Sequence, residues 1–494
     1  MIIKVFLASF LFPICLYSQI VQLPLEKNNY EKVTSYKELT DFIYNLETTS
    51  ALLKIDMIGR SVEGRNIYAL KFSKSEFGKD EAKIKVLFFA QQHGNEQSGK
   101  EGSLLLAREL LKEENKYLFD KIDLVLIPQM NPDGSEINQR RNANNIDLNR
   151  NHLILTEPET VALHKLFNNY LFEVTLDVHE YFPYTQSWEQ FGIYKRADEQ
   201  LGLLTNLNVS EKIRKFSKQK VLPFVEDYLT QIGFSFNEYL VGGPPNKERL
   251  RHSTVDINDG RQSFGIQNTL SFILEGKNGK DYAVDNIKHR SEGQSSAMIS
   301  MLKFIDQNKD EIKSIIAGER NTLTASGSPV VIRMDHINKG EKFILPVEDA
   351  RTGYQKVFEV DQYYSDVKSI YQISVPDAYL VPRSDSLLMA FITNHGMEYW
   401  DELPEHLNIE QYIITSIDSI VLEDEKMAAP KFKVQKKNLS EISLDHIFIS
   451  TNQLKKNVIV AAFEIRSMHA IYHYDLFNYM IRGEEYPVLR VFND

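Results

Sequence analysis

The chain has 494 residues, room for a large domain and a smaller one at the usual size of roughly 100–200 residues each. Hydrophobic residues at 43%, aromatics at 11% and charged residues at 25% are those of an ordinary globular protein and exclude long disorder, collagen and coiled coil. Lys+Arg 57 against Asp+Glu 68 gives a net charge of -11, so no broad phosphate-neutralising surface and no nucleic-acid partner are expected.

The chain opens with MIIK and the apolar run VFLASFLFPICLYS, too short and too broken by Pro13 to span a bilayer. It reads as an export signal covering residues 1–18, cleaved between Ser18 and Gln19, which sends the protein to the periplasm or the exterior. Cys15, the single cysteine, lies inside this segment, so the mature chain holds neither disulfides nor thiolate chemistry. No later run reaches the ~18 apolar residues of a membrane span.

From about Val33 to Ile316, apolar β-rich runs alternate with amphipathic stretches, the pattern of an α/β sheet. Ile84 to Ala90, Ile122 to Ile127, Val174 to Val178 and Thr269 to Leu274 read as buried strands. Ser98-x-x-Glu101 and Thr156-x-x-Glu159, the latter with Pro158 in its first turn, read as capping boxes that open helices. After about Gly318 the texture becomes Thr, Ser and Gly, then short strand-like runs: VVIRM, YQKVFEV, QYIITSI and VIVAAFEI. One helix is expected there, Ser384 to His395, with Gly396 as its stop. The expected organisation is a catalytic α/β domain over 19–320 and a mostly-β domain over 321–494, without internal repeats.

In open α/β sheets, ligands bind beyond the carboxyl ends of the strands. The strand ending at Ala90 is followed by Gln91-Gln92-His93-Gly94-Asn95-Glu96, that ending at Val178 by His179 and Glu180, and that ending at Leu274 by Glu275. Two imidazoles and a carboxylate form the ligand set of a catalytic zinc that keeps a fourth position open for water. His93, Glu96 and His179 are therefore the candidate metal ligands, for one Zn²⁺ per chain. Glu275 is the candidate that moves the proton, and Asp147 or Asp177 the outer carboxylate that orients a ligand histidine. Between the ligands lies the turn Asn131-Pro132-Asp133-Gly134, then QRRNANNIDLNRN from Gln139 to Asn151. Its arginines form either a solvated basic loop or a cationic fork for an anionic group with a donor to a developing oxyanion.

HGNE, then NPDG with RRNANNIDLNRN, then the strand-end His179 and finally SFILEG together resemble the zinc carboxypeptidase family of metallopeptidases, the M14 type, over roughly residues 30 to 320. The resemblance implies a mixed eight-stranded sheet sandwiched by helices, Zn²⁺ on His93, Glu96 and His179, and Glu275 as general base and then acid. It also implies Arg140 as oxyanion stabiliser, Asn149 with Arg150 as the clamp for a substrate's terminal carboxylate, and Asp147 as the residue orienting the first zinc histidine. The HGNE motif with the export signal is similar to an exported bacterial subgroup.

The chain departs from the family pattern in two places. Asn95 stands where digestive members carry arginine, and Leu240 to Thr269 holds no counterpart of the substrate-covering tyrosine. That segment, rich in Gly, Pro and charge, reads as a surface lid in which Arg251 or Arg261 recognises a further acidic group or is simply solvated. Three functions follow. The first is a metallocarboxypeptidase cleaving peptide bonds near a free C-terminus. The second is an amide hydrolase of the same fold acting on acyl-amino acids or cell-wall peptides. The third is an inactive binding scaffold with a β-rich attachment module.

Overall fold

The computed structural model describes residues 21–492 apart from 326, 405 and 444. The export signal, Cys15 and the cleavage point at Ser18 lie outside the described residues. Eight strands form one mixed sheet: β1 (Leu53–Arg60), β2 (Asn66–Phe72), β3 (Ile84–Ala90), β4 (Ile122–Ile127), β5 (Val174–Tyr181), β6 (Glu199–Gly202), β7 (Phe236–Glu238) and β8 (Leu270–Lys277). Their order across the sheet is β1-β2-β4-β3-β5-β8-β6-β7. The central strands β4, β3, β5 and β8 run parallel.

Parallel strands must be covered on both faces, and the side chains show how. Phe88, Leu124, Leu176 and Phe272 pack into one core with Leu104 and Met301 from helices on that side. Their strand neighbours Leu87, Phe89, Val125 and Ile127 point the other way, into a second core with Leu163, Phe167 and Phe264. The period-2 alternation thus builds helix, sheet and helix layers from strands that look uniformly apolar.

Two strands run further than their apolar patterns indicate. β5 continues to Tyr181 and β8 to Lys277, so His179 and Glu275 are cross-strand partners inside the ladder, one residue beyond the paired Val178 and Leu274. Pairing with the neighbouring strand, not hydrophobicity, sets where these strands stop.

Neither capping box forms. The helix Gln97–Glu109 starts after Glu96 without a side-chain cap; the Ser98 backbone N–H donates to Glu180 instead, and Glu101 accepts from Thr34. The helix Pro158–Tyr170 follows Glu157, also uncapped, with Pro158 in its first turn; Glu159 accepts from the Val62 amide. Tertiary partners have claimed both carboxylates.

The 39-residue helix Ile287–Ala325 carries the chain through position 320 into a β-rich C-terminal region. There a five-stranded sheet includes the long hairpin Asn408–Leu422 and Glu425–Lys437. The expected helix runs Ser386–His395, capped by Asp385 and stopped by Gly396 at φ 66. VIVAAFEI, read as a strand, is instead the helix Lys456–Phe463. Every residue of it is buried, so no polar face breaks its apolar run. The region is woven into the part built on the eight-stranded sheet: Phe343–Asp349 pairs with the short strand Ile193–Lys195, and Tyr363–Tyr364 with Leu250–His252.

Candidate metal centre and its cleft

The loop after β3 bends sharply, with Gln91 at φ 58. It is braced by the NPDG turn, where the Asn131 amide donates to the Gln92 carbonyl at 3.1 Å and its side-chain oxygen accepts from the Gly134 N–H at 2.9 Å. Gly94 is required by this closeness: a Cβ there would sit 2.2 Å from the Gly134 carbonyl carbon and 2.4 Å from the Gln139 oxygen. The loop thereby holds His93 and Glu96 on one side of a point that His179 approaches from β5.

His93 Nδ1 lies 2.7 Å from Glu96 Oε1, and His179 Nδ1 lies 2.9 Å from Glu96 Oε2. The two Nδ1 atoms are 3.1 Å apart. Each opposite ring nitrogen faces an aspartate: His93 Nε2 is 3.0 Å from Asp147 and His179 Nε2 is 2.8 Å from Asp177. The two outer carboxylates singled out in the sequence thus each face one histidine. With each Nε2 proton directed outward, two lone pairs converge beside a buried carboxylate, an arrangement that a cation satisfies. One ligand atom from each of His93, Glu96 and His179 falls within 4.8 Å of the others, and all three residues are buried. Among the described residues no other such group occurs.

The electrostatics agree. Burial acts to raise the Glu96 carboxyl, but His93 and His179 hold it well below the usual range. Burial likewise opposes ionisation of Asp147, which His93 and Arg140 nevertheless keep far below its ordinary value.

Glu275 stands beside His179 in the β5–β8 ladder and is 7% exposed. Burial pushes its carboxyl up to about 7, against the pull of His179. A carboxylate tuned to that value can both accept and return a proton near neutral pH. His93, Glu96, Arg140, Arg150 and Glu275 line one cavity of about 220 Å³. Arg140 sits at its mouth, its Nη2 3.0 Å from Asp147 and its Nη1 3.4 Å from Glu96. Asn149 follows Asp147 into the cavity wall, its Oδ1 accepting from the Gly260 amide at 2.8 Å. The Arg150 guanidinium donates to the Asn149 carbonyl at 2.6 Å.

Of the two lid arginines, Arg261 lines this cavity. Arg251 does not; it pairs at 2.7 Å with Glu423 of the C-terminal hairpin. Two residues escaped the sequence reading. Tyr239 lines the cavity, one position before the lid segment Leu240 to Thr269; its place next to that segment was the available signal. Lys195, whose amine lies 4.8 Å over the ring of Tyr181, is buried, which depresses the amine to about 8 while Glu275 acts to raise it. No motif marks it.

Residues 39–187 match the family model described as zinc carboxypeptidase. Carboxypeptidase 2 of Trichophyton tonsurans is 24% identical over 454 residues, covering 87% of this chain and 81% of that protein. The catalytic chain of human carboxypeptidase N is 25% identical over 355 residues, covering 61% of this chain and 74% of that one. Among solved structures, a metallo-carboxypeptidase from Burkholderia cenocepacia overlays with a TM-score of 0.43 at 18% identity, covering 55% of this chain and 69% of that one. The matched stretch spans His93, Glu96 and His179, so the part of the chain that carries the buried two-histidine, one-glutamate centre is similar to zinc carboxypeptidases.

Proposed function

We propose that the chain removes residues from the free C-terminus of peptides, with Zn²⁺ held by His93, Glu96 and His179. The observation that carries this is the cross-strand position of Glu275 beside His179, buried and tuned to about 7, in one cavity with Arg140 and Arg150. When bound, the ion polarises the scissile carbonyl and acidifies water. Glu275 takes the proton from the attacking water and returns it to the leaving amine. Arg140 donates to the carbonyl oxygen as negative charge grows on it. Asn149 and Arg150 hold the substrate's terminal carboxylate, which fixes the distance from the chain end to the bond that breaks. Asp147 and Asp177 keep the ligand imidazoles in the tautomer that offers Nδ1 to the ion.

The test is Glu275→Gln. Zinc content should stay at one per chain while kcat falls by about 10²–10⁴-fold, the usual contribution of a general base. A variant that turns over at the parent rate removes Glu275 from the reaction. The same assay with a free peptide, its C-terminal amide and an N-acyl amino acid separates the readings. Only the free peptide should be trimmed; hydrolysis of the acyl-amino acid alone would instead identify an amide hydrolase.

A further inference from the structure

Resting on the carboxypeptidase reading, we infer that Arg261 selects peptides ending in an acidic residue by donating to the side-chain carboxylate of the terminal glutamate or aspartate. The guanidinium is 1% exposed and lines the same cavity as Arg150 and Glu275. The lid folds it inward: Asp259 caps the short helix Gly260–Gly265, and Arg261 follows two residues later, its guanidinium 5.9 Å over the ring of Tyr239.

What Arg261 holds, and what it leaves over, decides the chemistry of the ligand. Its Nη1 donates to Ser253 Oγ, and its Nη2 donates to Thr254 Oγ1 at 2.9 Å and Asp259 Oδ2 at 2.8 Å. Those acceptors are engaged elsewhere too. Asp259 Oδ1 takes the Gln262 amide at 2.6 Å, Asp259 Oδ2 also takes the Thr254 hydroxyl at 2.9 Å, and Ser253 Oγ donates to the Leu203 carbonyl at 3.2 Å. The Arg261 Nε–H, buried, has no partner. The network around Arg261 therefore presents a spare buried donor, while Ser253, Thr254 and Asp259 already hold hydrogen bonds within it. A carboxylate satisfies it with a charge-assisted hydrogen bond. A lysine or arginine terminus brings a further cation into a cavity that already holds the Arg140, Arg150 and Arg261 guanidinium groups. An aliphatic or aromatic terminus leaves the buried N–H unpaired, which sites built to hydrogen-bond a substrate reject strongly.

The experiment uses the zinc-loaded full chain and N-acylated dipeptides that differ only in the last residue: Glu, Gln, Leu and Lys. In parallel, calorimetry measures binding of N-acetylglutamate and N-acetylleucine to the same protein. Glu should be released with kcat/KM at least about 30-fold above Leu and Lys, and N-acetylglutamate should bind at least about 10-fold more tightly than N-acetylleucine. In Arg261→Gln both ratios should fall to within about 3-fold, whatever the absolute rates. Equal release of all termini, or equal binding of the two acids by the unaltered chain, overturns the inference and leaves the carboxypeptidase reading intact. A preference for Gln equal to that for Glu also overturns it, because an uncharged acceptor would then suffice. Trimming of none of the peptides defeats the underlying reading instead, while the binding ratio still decides Arg261. The comparison within the unaltered chain holds even where Arg261→Gln does not fold.

Discussion

Gly94 shows how little freedom the metal loop has. Its missing Cβ is the space into which the backbone of the NPDG turn fits, and the atoms a methyl group would meet at 2.2–2.4 Å are backbone atoms of Gly134, Ser135 and Gln139. Backbone cannot rotate away as a side-chain tip can, so Gly94→Ala must displace the loop carrying His93 and Glu96. Zinc affinity should fall by about 10–100-fold, the scale seen when the groups orienting metal ligands are disturbed. Zinc retained after dialysis against a weak chelator reads this directly. Gly318→Ala is the control: it lies in the long helix with nothing within 4 Å of a built Cβ, so it should bind zinc normally and gain about 0.5–1 kcal/mol from helix propensity. Normal zinc retention by Gly94→Ala would refute the packing argument. The gathering of His93, Glu96 and His179 could be anticipated from the sequence because each follows an apolar run and their order resembles a family pattern. Tyr239 in the cavity wall and the buried Lys195, whose amine feels Glu275, could not be, because they come from segments whose only qualification is where the chain folds back.

Element by element, the strands were read within a few residues, since burial on both faces writes itself as a continuous apolar run. Starts and stops were not, as the unformed capping boxes and the buried helix Lys456–Phe463 illustrate; their outcome depends on partners far along the chain. The C-terminal hairpin makes the same point for function. Its turn residues Glu423 and Asp424 have φ of 53 and 66, the positive pair of a two-residue type I′ connection. At this tip Glu423 accepts from the His336 amide at 2.8 Å and pairs with Arg251 at 2.7 Å, and Asp424 pairs with Arg249 at 2.9 Å. Burial would raise the Glu423 carboxyl, yet His336 holds it down to about 2. The hairpin thus clamps the lid segment whose far end carries Arg261. Glu423→Gln should loosen that segment by about 1.5–3 kcal/mol, or about tenfold or more in local opening. Trypsin cutting after Lys247, Arg249 or Arg251 should accelerate accordingly. An unchanged cutting rate would show that the clamp does not hold the lid.

At the scale of the whole molecule, the catalytic part and the β-rich region share a buried seam. Leu153, Ile257 and Ile266 pack into the same core as Phe391, Ile459 and Phe463. Three histidines cross it: His152 Nδ1 is 3.0 Å from His164 Nε2, the rings of His164 and His395 are 5.8 Å apart, and His395 Nε2 lies 2.6 Å from the Leu153 carbonyl. His152 also reaches Gln92 Oε1 at 2.7 Å, and Gln92 Nε2 reaches Asp177 at 2.9 Å, so the seam connects by hydrogen bonds to the carboxylate behind His179. Burial depresses His152 to about 4 and His395 to about 3, and holds His164 well below its ordinary 6.5. These imidazoles are neutral in the folded chain and protonate near 6.5 once exposed. Between those values the unfolded chain binds more protons, so their stabilisation is complete above about 6.5 and is lost as pH falls toward 4 and then 3. Each contributes a slope of up to about 1.4 kcal/mol per pH unit. Urea unfolding measured at intervals from pH 7.5 to pH 4.5 should therefore steepen below about 6.5. In His395→Gln, which retains a donor for the Leu153 carbonyl but cannot take up a proton, that slope should be shallower by about one proton's worth, whatever the substitution costs at neutral pH. Parallel curves for the two proteins would mean that His395 takes up its proton at the same pH in the folded and the unfolded chain, and that the seam is held by its apolar packing without regard to acid.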